Sequence, residues 1–145
     1  MEENNPTMPV RPDLIHAYEQ AQYAVYGEPE LVLRIGEKNA DLDALMDAHN
    51  VKTAAYLTAA NPHGEAQDDE DNAAAAEALQ ESELLAGYPW FAGEGRDPKG
   101  DWKPEPSILV LGIPLEEAEA IGLSHGQNAI VYAEKGQAPR IVVLV

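Results

Sequence analysis

The side chains with the most chemical potential stand at the ends of apolar runs. Asn61 and His63 follow the continuous, mostly apolar run over residues 53–60. Glu105 and Ser107 stand where a second run, residues 107–113, begins, and Gln127 and Asn128 lead into a third, residues 128–133. Asn72 sits near the start of an acidic stretch that opens at Asp68. Antiparallel neighbours bring the end of one strand beside the start of the next, so these groups converge if the three runs pair. The chemistry would be acid–base work, with Glu105 as acid or base and His63 as proton carrier. Asn61, Asn72, Ser107, Gln127 and Asn128 would orient a ligand, and Trp102 would stack on a planar one. A structural account competes at every position. Asn61 and Asn128 then fix turns, Glu105 caps loop amides, Gln127 satisfies buried backbone, and Trp90 and Trp102 pin their loop to the core.

Several chemistries are excluded. There is no G-x-S-x-G, P-loop, H-E-x-x-H or dinucleotide-binding glycine pattern. The chain has no cysteine, and none of its four histidines (His16, His49, His63, His125) lies three or four residues from another. Neither a thiolate nor a helical histidine pair is present to hold zinc, so no metal and no cofactor are expected.

Charge supplies the other candidate surface. Nine basic and 26 acidic residues give a net charge of −17, and residues 62–88 hold eight acids without a lysine or arginine. A field this negative disfavours nucleic acid and anionic membranes and favours a basic protein partner. Asp68, Asp69, Glu70, Asp71, Glu77 and Glu81 form the expected docking surface. In its extreme version the carboxylates imitate DNA phosphates, spread over about 24 Å of helix between residues 68 and 83. The plainer alternative is a solvated face whose first-turn acids complement the helix dipole, at about 0.3–1 kcal/mol each.

The elements that must position these residues are legible in outline. Residues 1–10 read as a loose polar tail and 11–145 as a single domain. A first helix runs from Pro12 to about Tyr23, with Leu14, Ile15 and Tyr18 on one face. Residues 31–35 read as a strand. Asn39 caps a second helix carrying Leu42, Leu45, Met46 and His49. Residues 53–60 read as a buried strand closed by Asn61-Pro62-His63-Gly64, and a third helix follows to about Ala86. Residues 88–106, rich in glycine and proline, read as a long ordered loop with room for one short hairpin. Strands over 107–113, 128–133 and 140–145 flank a fourth helix with Pro114 at its first position. The expected fold is α+β: a single mixed, largely antiparallel sheet of about five strands with three or four helices.

One further signal comes from residues taken together. Leu57-Thr58-Ala59-Ala60-Asn61-Pro62, Asn72 with Leu79, Trp102-x-x-Glu105-x-Ser107, and Gly126-Gln127-Asn128-Ala129-Ile130-Val131-Tyr132 occur in that order. In combination they resemble the bacterial family termed domain of unknown function 3293, over roughly residues 15–135. The resemblance implies the limits of the fold and brings no activity or cofactor with it.

The expected function is therefore a binding or regulatory one, exerted through the acidic helix and the adjoining polar pocket. A small hydrolase-like or transferase-like enzyme using Glu105 and His63 is the first alternative, and a DNA-mimic-like inhibitor of a basic partner the second. The acidic N-terminus carries no apolar signal region, and no run approaches the roughly 18 apolar residues of a membrane span. A cytoplasmic location without membrane contact is expected. The terminal strand, if it lies at an edge, offers a surface for a homodimer.

Overall fold

A computed structural model describes residues 12–145; the expected N-terminal tail lies outside the described residues. In chain order the elements are α1 (Pro12–Gln20), β1 (Gln22–Val25), β2 (Leu31–Leu33), α2 (Ala40–Ala48), β3 (Thr53–Thr58), α3 (Asp69–Gln80), β4 (Trp90–Arg96), β5 (Glu105–Leu111), α4 (Leu115–Ser124), β6 (Ala129–Glu134) and β7 (Arg140–Val143). Short 3-10 turns occupy Pro62–Gly64 and Glu83–Leu85. The strands form one sheet in the order β2-β1-β4-β5-β3-β6-β7, with every pairing antiparallel.

The α+β class holds, but the sheet has seven strands where five were expected, and it is antiparallel throughout. The two additional strands have separate causes. The first helix stops at Gln20 rather than near Tyr23, and Gln22–Val25 pairs with both β2 and β4. The second lies inside the glycine-rich segment read as a loop: Trp90–Arg96 is a seven-residue strand. Its glycines hid it, yet the fold requires one of them. A Cβ on Gly93 would lie 1.9 Å from the backbone oxygen of Ala24. Only glycine lets β1 fold so closely over β4.

That close approach curls the sheet into a half-barrel. β1 and β3 are three strands apart, about 14 Å on a flat sheet. Even so, the Tyr56 hydroxyl of β3 donates to the Ala24 carbonyl of β1 at 2.7 Å, and the Tyr23 and Tyr56 rings meet edge to face at 5.3 Å. The edge strands β2 and β7 also converge, because the Gly36 N–H donates to the Pro139 carbonyl at 3.0 Å.

Strand alternation then assigns the two faces. Ala55, Leu57, Ile108, Val110, Ile130 and Tyr132 point to the convex side, where Leu79 of α3 and Ala118 and Ile121 of α4 seal them. Ala54, Tyr56, Leu109, Leu111 and Val131 point to the concave side, where Leu42 and Met46 of α2 cover them. Asn39 caps α2 as expected, accepting from the Leu42 N–H. Asp68 caps α3 by accepting from the Asp71 N–H at 2.8 Å. Pro114 proves to be the N-cap of α4 rather than its first residue.

Candidate functional site

α2 covers only one end of the concave face. At the other end α1 lies over the ends of β3 and β5 and leaves a cavity of about 280 Å³. Leu14, Ala17 and Tyr18 of α1 form one side, and Tyr23, Tyr56 and Trp102 add aromatic surface. Thr58, Asn61, Glu105, Ser107, Gln127 and Asn128 supply the polar part of the wall. The strand ends therefore do converge: Thr58 pairs with Ser107, and Glu105 lies opposite Gly95 on β4. A Cβ on Gly95 would meet nothing within 4 Å, so the missing side chain contributes open volume.

Asn61 organises the polar wall. It adopts the left-handed region (φ 47°, ψ 58°), which asparagine tolerates better than other non-glycine residues. Its Oδ1 accepts from the Gln67 backbone N–H at 2.9 Å. A backbone N–H can only donate, so the amide orientation is fixed and Nδ2 must face Glu105. There it donates to Oε2 at 2.6 Å. Asn72 is fixed by the same logic. Its Oδ1 accepts from the Asn61 N–H and its Nδ2 donates to Asn61 Oδ1, each at 3.0 Å, while Gln67 Nε2 donates to the same Asn72 oxygen. The first turn of α3 thereby braces the strand end that holds Glu105, and Asn72 is buried to do so.

Glu105 is partly buried, and burial pushes its carboxyl above the usual carboxylate range, opposed by the hydrogen bond from Asn61. Its second oxygen accepts no hydrogen bond from the described residues. Burial, and after it the charge of Glu105, raise the Tyr23 hydroxyl far above its ordinary value. Gln127 is buried with Nε2 on the carbonyls of Ala60 (3.1 Å) and His125 (3.3 Å). The Ser107 hydroxyl donates to the Glu105 carbonyl at 2.9 Å and that of Thr58 to the Pro106 carbonyl at 2.8 Å.

A match to the family described as "Protein of unknown function (DUF3293)" covers residues 57–130, just over half of the chain. The chain belongs to this family. No curated protein and no solved structure matches it. In this DUF3293 domain the matched span contains Asn61, Asn72, Trp102, Glu105, Ser107, Gln127 and Asn128. It leaves out α1, Tyr23 and Tyr56, which supply most of the aromatic wall.

Of the residues singled out in the sequence, Asn61, Trp102, Glu105, Ser107, Gln127 and Asn128 share the cavity wall, and Asn72 stands directly behind it. His63 does not join them. It is exposed in the 3-10 turn, with φ at +61°, and is absent from the wall that Glu105 lines. Sequence reasoning missed Tyr23, because its strand read as helix, and Gly95, because its strand read as loop. Gln67 carried no signal in its spacing at all.

The acids of the docking surface, Asp68, Asp69, Glu70, Asp71, Glu77 and Glu81, are all exposed. α3 is shorter than expected, ending at Gln80 after about 18 Å. Its acids crowd the first turn, and the five residues Asn72 to Ala76 separate them from Glu77. An even, phosphate-like row of charges is not what this helix displays. Among the described residues no group of three or more histidines and acids stands close enough to hold a metal ion, and no helix is long and apolar enough to cross a membrane.

Proposed function

We propose that this domain binds a small organic molecule in the cavity beneath α1, with Glu105 as the polar anchor. The observation that carries this reading is the bracing of Glu105. A partly buried carboxylate is costly unless paired, and here Asn61 supplies a single hydrogen bond. Asn72 and Gln67 hold Asn61 in place. A first contact locked by a supporting layer is how binding sites are preorganised. The cavity lies just under the usual span of about 300–1,000 Å³ for ligand sites, which suits a small metabolite and not a dinucleotide. The enzyme alternative with Glu105 and His63 as a working pair has less support, since only Glu105 faces the cavity.

The test is a small-molecule screen by thermal shift on the wild-type protein and on Gly95→Val. The valine fills cavity space without meeting a neighbour at Cβ. Ligands that stabilise the wild type and not the variant support the reading, at about 2.7 kcal/mol when present at 100 times Kd. Hits that stabilise both proteins equally would sink it.

A second reading rests on the exposed acids of α3. A basic protein docked over Asp68, Asp69, Glu70 and Asp71 would touch the helix whose Asn72 braces the pocket, coupling partner and ligand. Replacing those four acids by amides should then weaken ligand binding only when the partner is present. A cytoplasmic location fits such a role. A homodimer through β7, which lies at the sheet edge, is a further proposal that sedimentation would decide.

A further inference from the structure

Among the described residues that wall the cavity, Glu105 is the one acid, and no lysine, arginine or histidine accompanies it. The chain around it has a net charge of −17. A ligand carboxylate or phosphate would find no counter-charge on the described wall and would enter against a carboxylate.

The hydrogen-bond inventory points the same way. Asn61, Thr58, Ser107 and Gln127 spend donor hydrogens on protein acceptors. The hydroxyls of Tyr23 and Tyr56 donate to the backbone carbonyls of Tyr18 and Ala24. The second Nδ2 hydrogen of Asn61 and the side-chain donors of Tyr18, Trp102 and Asn128 remain unspent among the described wall residues. What the wall chiefly presents is acceptors: the second oxygen of Glu105 and the lone pairs of hydroxyls whose protons are already committed. Such a wall recognises a donor.

The aromatic surface selects among donors. Tyr18, Tyr23, Tyr56 and Trp102 all contribute to the wall, and Tyr23 and Tyr56 are locked edge to face with each other. Ring faces attract a cation within about 6 Å and also take up the apolar body that carries it. Rings beside a lone carboxylate are a pairing suited to an ammonium group.

We infer that the cavity takes a small organic cation, an ammonium or alkylammonium group on a flat or apolar body, with Glu105 as its counter-charge. The inference rests on the ligand-binding reading and gives it a substrate class. Binding supplies the charge partner that Glu105 lacks among the described residues, while the aromatic wall excludes water from the pair. A neutral molecule of the same shape fills the volume but leaves the carboxylate uncompensated.

Three probes of equal shape decide the point: benzylamine, benzyl alcohol and benzoate, titrated by NMR into wild type, Glu105→Gln and Gly95→Val at low salt. The expected wild-type result is at least ten-fold tighter binding of benzylamine than of benzyl alcohol, with benzoate weakest, and shifts confined to Trp102 and the amides of β3, β5 and α1. Glu105→Gln should bring benzylamine and benzyl alcohol to within about two-fold of each other. Gly95→Val should lose both. If benzyl alcohol or benzoate binds the wild-type cavity as tightly as benzylamine, the cation inference falls and the pocket stands. If none of the three perturbs the cavity residues, both readings fall. The wild-type order alone decides, so a variant that fails to fold does not blunt the test.

Discussion

At one end of the concave face Leu42 and Met46 of α2 fill the space over Leu109 and Leu111; at the other, α1 spans Thr58, Glu105 and Ser107 and leaves a cavity. The same strands serve both ends. Along β5 the concave-facing positions read Glu105, Ser107, Leu109, Leu111, so the change from polar to apolar falls within one strand. The edges differ as well. At the α2 end Gly36 and Pro139 bring β2 and β7 together, and α2 is tied to the β6–β7 turn by Asp43 to the Gly136 N–H and Asp47 to Lys135. One end is thus built for stability. The other keeps a costly carboxylate that dry packing would not need, which is the usual sign of a functional compromise.

The sharpest way to break the contrast is to truncate each end. Met46→Ala should cost about 2–5 kcal/mol in urea unfolding, because Met46 is fully buried under α2. Leu14→Ala at the cavity end should cost far less, since Leu14 is only partly buried. Equal losses would mean that the cavity end is as tightly packed as the other.

Next come two glycines of one strand. Gly93→Ala forces a methyl onto the Ala24 carbonyl and should destabilise at or above the top of the about 1–3 kcal/mol overpacking range. Gly95→Ala meets open space and should be neutral, or stabilising by up to about 1 kcal/mol. The pair is read by the same unfolding curves; matching losses would contradict the curl of the half-barrel.

Asn61→Gly keeps the left-handed backbone and removes the amide. It strands Glu105, Asn72 and the Gln67 N–H, for an expected loss of about 1–3 kcal/mol and a weakened cavity. Retention of full stability would show that Asn61 matters for its backbone alone.

Glu105→Gln gives the smallest effect and the most specific sign. The folded carboxyl titrates above its ordinary value near 4.5, so the fold favours the protonated acid. Its penalty is absent well below that value and develops as pH rises through the folded pKa. The unliganded Gln variant should therefore match the wild type near pH 4 and gain on it by pH 7. A gain that runs in the opposite direction would show the carboxylate to be stabilised by the fold.

Much of this was legible in the residues. Branched and apolar runs located β3, β5 and β6, Asn39 announced α2 through capping chemistry, and the acids from Asp68 marked the start of α3. The convergence of Asn61, Glu105 and Gln127 followed from antiparallel pairing of those strands. β1 and β4 were not legible, for opposite reasons. β1 is four residues long and continues the apolar spacing of the helix before it. β4 carries Gly93 for the sake of a neighbour distant in sequence, so its composition reports tertiary contact and not strand propensity. His63 was placed by loop position alone, and loop position does not determine where a side chain faces.

The Gly36 to Pro139 hydrogen bond links two edges separated by about a hundred residues of chain. Its amide proton is a clock for the breathing of the half-barrel. Hydrogen exchange at Gly36 measures how often the rim parts, whereas the amides of β3 and β5 beside the cavity exchange only when the sheet itself opens. A ligand that slows both would brace the entire shell from inside, and one that slows only the strand amides would leave the rim free to part.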